Sequence, residues 1–104
     1  MKPMRRIKIN DRYYDIAIVG IRYKIDTINH YCGYVILSQL PPDFDYDNLS
    51  CCTFKDGNVF GVDTNHIWNL DQTLEEKEED CIRQIKDLIY DYNKQMIEII
   101  EGIR

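Results

Sequence analysis

"TLEEKEEDCIRQIKDLIYDYNKQMIEII", Thr73 to Ile100, is the stretch on which the fold turns. Leu74, Cys81, Ile85, Leu88, Ile89, Tyr92, Met96, Ile99 and Ile100 recur at helical spacing, the pattern of one long amphipathic helix. Thr73 and Glu76 make a capping box, and Glu75, Glu76, Glu78, Glu79 and Asp80 set negative charge at the positive end of the helix dipole. The stripe continues for about eight turns. A small sheet has room for about half of that. The C-terminal half, from Tyr92 to Ile103, is therefore expected to face a second subunit and make a homo-oligomer.

A lone helix with an apolar stripe needs a sheet beneath it, and the first two thirds of the chain read as strands. Ile7 and Ile9 alternate with charge before a turn at Asn10-Asp11. Val19, Ile21, Tyr23 and Ile25 keep a period of two, while Ile16 and Ile18 sit on the other phase, so a bulge is expected near Gly20. "HYCGYVIL", His30 to Leu37, is continuously apolar, as a central strand covered on both sides would be. "SQLPPDFDYDNLS" is a loop with room for one helical turn at Phe44 to Leu49. Asp56-Gly57 marks a hairpin pairing Cys51 to Lys55 with Asn58 to Asp63. The expected fold is α+β, one domain over residues 1–104, with an antiparallel sheet of four to five strands against one long C-terminal helix.

Bulk properties remove several function classes. A net charge of −5 argues against general nucleic-acid binding, although Arg5, Arg6, Lys8 and Arg12 leave a local basic patch. No apolar run approaches the roughly 18 residues of a membrane span, so no membrane partner is expected. "MKPMRRIKIN" lacks the apolar core of a secretory signal, which points to a cytoplasmic protein with Cys32, Cys51, Cys52 and Cys81 reduced. The cysteines lack zinc-ligand spacing, and Asp43, Asp45 and Asp47 lack the glycine and bidentate acid of a calcium loop. Neither a metal nor a cofactor is expected.

The candidate site is "VFGVDTNHIWN", Val59 to Asn69. Gly61 allows close approach of a backbone or ligand, and Asp63, His66 and Trp68 follow at the strand end, where a carboxylate can fix an imidazole tautomer. The same residues also suit a purely structural reading, in which Asp63 caps a turn and His66 packs beneath Trp68. No catalytic residue is assigned, since an activated thiol needs electropositive surroundings.

"CGYVIL", "FDYDNL", "CTFKDGNVFGVDTNH" and "TLEEKEEDCIRQIKDLI" together resemble a family of small phage and prophage proteins of poorly defined function. Gly33, Tyr34 and Val35 fit its first element, Asp45, Tyr46 and Asp47 its second, and Thr53 and Phe54 its third. Phe60, Gly61, Asp63 and His66 fit its fourth. Thr64-Asn65 departs from the usual Cys-Ala pair, Val62 replaces an aromatic, Trp68 follows the histidine, and the segment between Leu37 and Asp43 is shorter. The resemblance covers Cys32 to about Leu88 and implies a phage origin, with the host cytoplasm as the place of action. It implies a non-enzymatic counter-defence protein that binds and sequesters a host nucleotide immune signal. Tyr34, Thr53, Gly61, Asp63, His66 and Trp68 are its expected ligand-binding residues. Aromatic rings would stack on the base, Asp63 would accept from ribose or base, and His66 with the N-terminal arginines would meet phosphate. Two alternatives remain: an anti-CRISPR-type inhibitor whose acidic surface blocks a host nuclease, and a small hydrolase using Asp63 and His66.

Overall fold

Five strands precede the helix in the computed structural model, which describes residues 4–24 and 27–102. They are β1 (Arg5–Ile9), β2 (Arg12–Lys24), β3 (Thr27–Ile36), β4 (Phe54–Asp56) and β5 (Val59–Asp63), followed by α1 (Leu74–Ile100). The sheet is antiparallel throughout in the order β1-β2-β3-β5-β4. The α+β expectation holds, with β3 at the centre.

The turns follow from local chemistry. Asn10 and Asp11 take φ of 52° and 64°, the left-handed pair that a two-residue hairpin with the right twist requires. Gly57, at φ 58°, turns β4 into β5 with Asp56 opposite Val59, so the hairpin turn is Gly57-Asn58. Its first strand is shorter than the sequence suggests, because Cys51 sits at φ 64° in a turn and Cys52 and Thr53 lie outside β4. One further bond, Thr53 N to Gly61 O at 2.9 Å, extends the pairing. The register slips between Ile21 and Arg22 and again before Lys24, later than the expected bulge at Gly20. Ile16 and Ile18 face the core while Val19 stays on the opposite face, so the change of apolar phase marks a strand apolar on both faces. Ile25 and Asp26 lie outside the described residues.

One face of the sheet is the floor of the core. Ile9, Tyr14, Ile16, Ile18, Val35, Phe60 and Val62 lie under Cys81, Ile85, Leu88, Ile89 and Tyr92 of α1. Gly33 permits the approach: a Cβ there would lie inside contact distance of Ile85 Cδ1 and 2.8 Å from Cys81 Sγ. The helix begins as expected, with Glu76 N donating to Thr73 Oγ1 and Thr73 N to Glu76 Oε1.

The helix does not outrun its support. Its 27 residues make about 40 Å at 1.5 Å per residue, and the 13 residues of β2 reach about 43 Å. The loop after β3 then wraps the C-terminal half of α1. Gln95 bonds both the N–H and the C=O of Asp45, Tyr92 donates to Gln39 O, and Ser50 N donates to Asp91. Tyr92 is buried, Met96 and Ile99 pack against the core, and Ile97 and Ile100 stay exposed. The length of α1 therefore leaves no unsupported C-terminal half that would call for a second subunit; Ile103 lies outside the described residues.

Among the described residues, nothing covers the second face of the sheet. Alternation puts Ala17 and Val19 of β2, Cys32, Tyr34 and Ile36 of β3, Val59, Gly61 and Asp63 of β5 and Phe54 of β4 on it. The expectation that β3 is covered on both sides is corrected here: the fold has one helix to spend on two apolar faces.

Candidate functional site

The uncovered face collects three of the six expected site residues. Tyr34 pairs with Gly61 across β3 and β5, and Asp63 lies two residues further along β5, opposite Cys32. Gly61 leaves room for two aromatic rings. A Cβ at that position would meet Tyr34 Cδ1 at 2.9 Å and Phe54 Cβ at 3.0 Å. The Tyr34 and Phe54 rings meet edge to face, 5.5 Å between centroids at 86°. Arg6 and Lys8 of β1 occupy the same face at its far edge, Arg6 bonded to Asp15 at 3.2 Å and Lys8 over the Tyr13 ring and 3.8 Å from Asp11 Oδ1.

The strand end is bound together by its own side chains. Asp63 Oδ1 accepts from Asn65 N at 2.9 Å and lies 3.6 Å from His66 Nε2. His66 stacks on Trp68, 4.2 Å between ring centroids and 13° from parallel. Thr64, fully buried, continues the strand pairing through its hydroxyl, which accepts from Tyr31 N and donates to Tyr31 O. Both arrangements expected of the structural reading, the capped turn and the packed imidazole, are present. Thr53 stands apart, on the lip of a cleft of about 310 Å³ lined by Tyr46, Phe54, Lys55 and Phe60. A second open cleft, of about 350 Å³, lies near Arg12, Tyr13, Ile36, Gln39 and Tyr92.

Sequence reading passed over the residue that organises this end. Asp80, counted only as dipole charge, is buried and accepts on Oδ2 from Trp68 Nε1 (3.1 Å), Asn69 Nδ2 (2.8 Å) and Gln84 Nε2 (3.0 Å). Its other oxygen pairs with Arg83. Burial pushes the carboxyl up, but the bonds from Asn69, Arg83, Trp68 and Gln84 outweigh it and hold it below the usual carboxylate range. One signal was legible: Asp80 and Gln84 are polar, four apart, and adjacent to Cys81 and Ile85 of the apolar stripe.

The titratable groups speak to chemistry as well. Burial raises the Cys32 thiol, with Asp63 adding to it, raises Cys51, and pushes Cys81 up to about 12. Burial lowers the His30 imidazole, against Asp63 and with Lys77. Cys32 and His30 are therefore both neutral at pH 7, the reverse of a thiolate–imidazolium pair. All four cysteines are free, and the described residues contain no cluster of three metal-ligating side chains. No described helix is long and apolar enough to cross a membrane.

The chain matches no known family profile, no curated protein and no solved structure. The resemblance over Cys32 to Leu88 stands on its motifs alone.

Proposed function

We propose that this protein is a non-enzymatic binder that holds a nucleotide on the uncovered face of its sheet. The observation that carries the reading is the Tyr34–Phe54 ring pair seated around Gly61, with Asp63 beside it on the same face. A base can stack on the rings, Asp63 Oδ2 can accept from a ribose hydroxyl or base amine, and Arg6 and Lys8 supply cations for phosphate. The raised thiols of Cys32 and Cys81 offer no activated cysteine nucleophile.

The motif resemblance adds the biological half of the proposal: a phage counter-defence factor that sequesters a host nucleotide signal in the host cytoplasm. A flat face covers its ligand from one side only. A second copy seated on the same apolar face would enclose it, so capture and self-association are expected to be coupled.

The test is titration calorimetry with a panel of linear and cyclic mono- and dinucleotides. Asp63→Asn keeps an oxygen for the Asn65 N–H while removing the charge, so it separates recognition from folding. The reading expects one ligand class to bind and Asp63→Asn to weaken it by about tenfold, equivalent to about 1.4 kcal/mol. Absence of binding across the panel, or release of a converted nucleotide, contradicts it.

A further inference from the structure

A short 3-10 turn, Ile67–Asn69, carries the most exposed apolar side chains of the strand end. Ile67 is 86% exposed, Leu70 72% and Trp68 55%, and Leu74 opens α1 beside them. Scattered surface leucines need no explanation, but four apolar residues within eight positions, presented by one rigid turn, do.

The rigidity comes from below. Asn69 is 1% exposed; its side-chain Nδ2 donates to Asp80 Oδ2 and to Gln72 Oε1, and its side-chain Oδ1 accepts from His66 N. Gln84, also buried, bridges Asp80 Oδ2 to Asp63 O. The Trp68 indole is pinned by its N–H on Asp80 and by the parallel His66 ring. A buried polar network thus holds Ile67 and Leu70 outward. Such preorganisation lowers the ordering cost of association, and it is what a protein hot spot requires.

The rim identifies the occupant. Asp71 directly follows Leu70 and Glu75 directly follows Leu74; both are exposed, and among the described residues neither is in an ion pair. The two nearby cations are already committed, Lys77 to Asn29 O at 3.0 Å and Arg83 to the carboxylates of Asp80 and Asp87. We infer that the Ile67–Trp68–Leu70 knuckle, with Leu74, docks a protein partner through an amphipathic helix whose apolar face is flanked by Lys and Arg. This surface is distinct from the sheet face that holds the proposed nucleotide, and the two can fail separately.

A synthetic amphipathic helix of about five turns, built of Leu and Lys at helical spacing, mimics that chemistry, and its Leu/Glu counterpart is the control. Trp68 is the only tryptophan, so its fluorescence reports docking directly. The expected result is a saturable blue shift with the Leu/Lys peptide alone, weakening with added salt, and amide NMR shifts confined to residues 66–79. Ile67→Asp and Leu70→Asp should each reduce affinity by about tenfold without moving the unfolding transition, since both side chains are already in water. The inference is overturned by equal binding of the Leu/Glu peptide, unchanged affinity in both variants, NMR shifts mapping to the sheet face, or a spectral shift with phosphatidylcholine vesicles. A wild-type dimer that Ile67→Asp dissolves would also overturn it, by making the occupant a second copy.

Discussion

At Asp80 one carboxylate oxygen accepts three hydrogen bonds and the other pairs with Arg83, so a charge buried under Trp68 is fully satisfied. Asp80→Asn keeps the shape but places an amide where donors converge, and should cost about 2 kcal/mol in chemical denaturation. Its pH signature follows from the depressed carboxyl. The stabilisation is present above the unfolded value of about 4 and is lost as pH falls through the lower folded value, so acid should flatten the difference between wild type and Asp80→Asn. His30 has the same sign at a higher pH. Burial lowers its folded value, so stability begins to fall as pH drops below about 6.5, and His30→Gln should remove that step. At the strand end, His66→Ala should cost about 1 kcal/mol through lost stacking on Trp68, whereas Asp63→Asn should leave the melting temperature nearly unmoved.

Among the elements, the contact of α1 with β3 depends on one missing side chain. Gly33→Ala would force Ile85 and Cys81 away from the sheet, and we expect a loss of about 2 kcal/mol, read as a lower urea midpoint with an unchanged slope. The helix, both hairpin turns and the central place of β3 were legible because each is written locally: a capping box, Asn10-Asp11, Gly57, and an unbroken apolar run. The wrap of the Leu37–Thr53 loop was not, since Gln95 and Asp45 meet across 50 positions and no short-range pattern encodes that pairing. The β-forming neighbours of Cys51 suggest a strand, whereas its left-handed φ is set by the turn after Leu49. Of the expected site, Tyr34, Gly61 and Asp63 share a face because strand alternation fixes it. The role of Asp80 stayed hidden because an acid in an acidic run has a sufficient local explanation.

At the scale of the described residues, one helix serves a sheet with two apolar faces, and the proposed nucleotide surface follows from that imbalance. If a second copy closes over the sheet, Ile36→Lys should abolish association, while Ile100→Lys at the exposed end of α1 should leave it intact. Analytical ultracentrifugation with and without nucleotide checks both variants. The claim that this face is a nucleotide-binding surface is tested most directly by amide NMR during titration with the tightest nucleotide of the calorimetric panel. The account predicts saturable shifts at Tyr34, Phe54, Gly61 and Asp63, with those facing α1 unmoved and the ligand recovered unchanged. Shifts absent from these four residues at saturation, or a ligand chemically altered at the end, would contradict it.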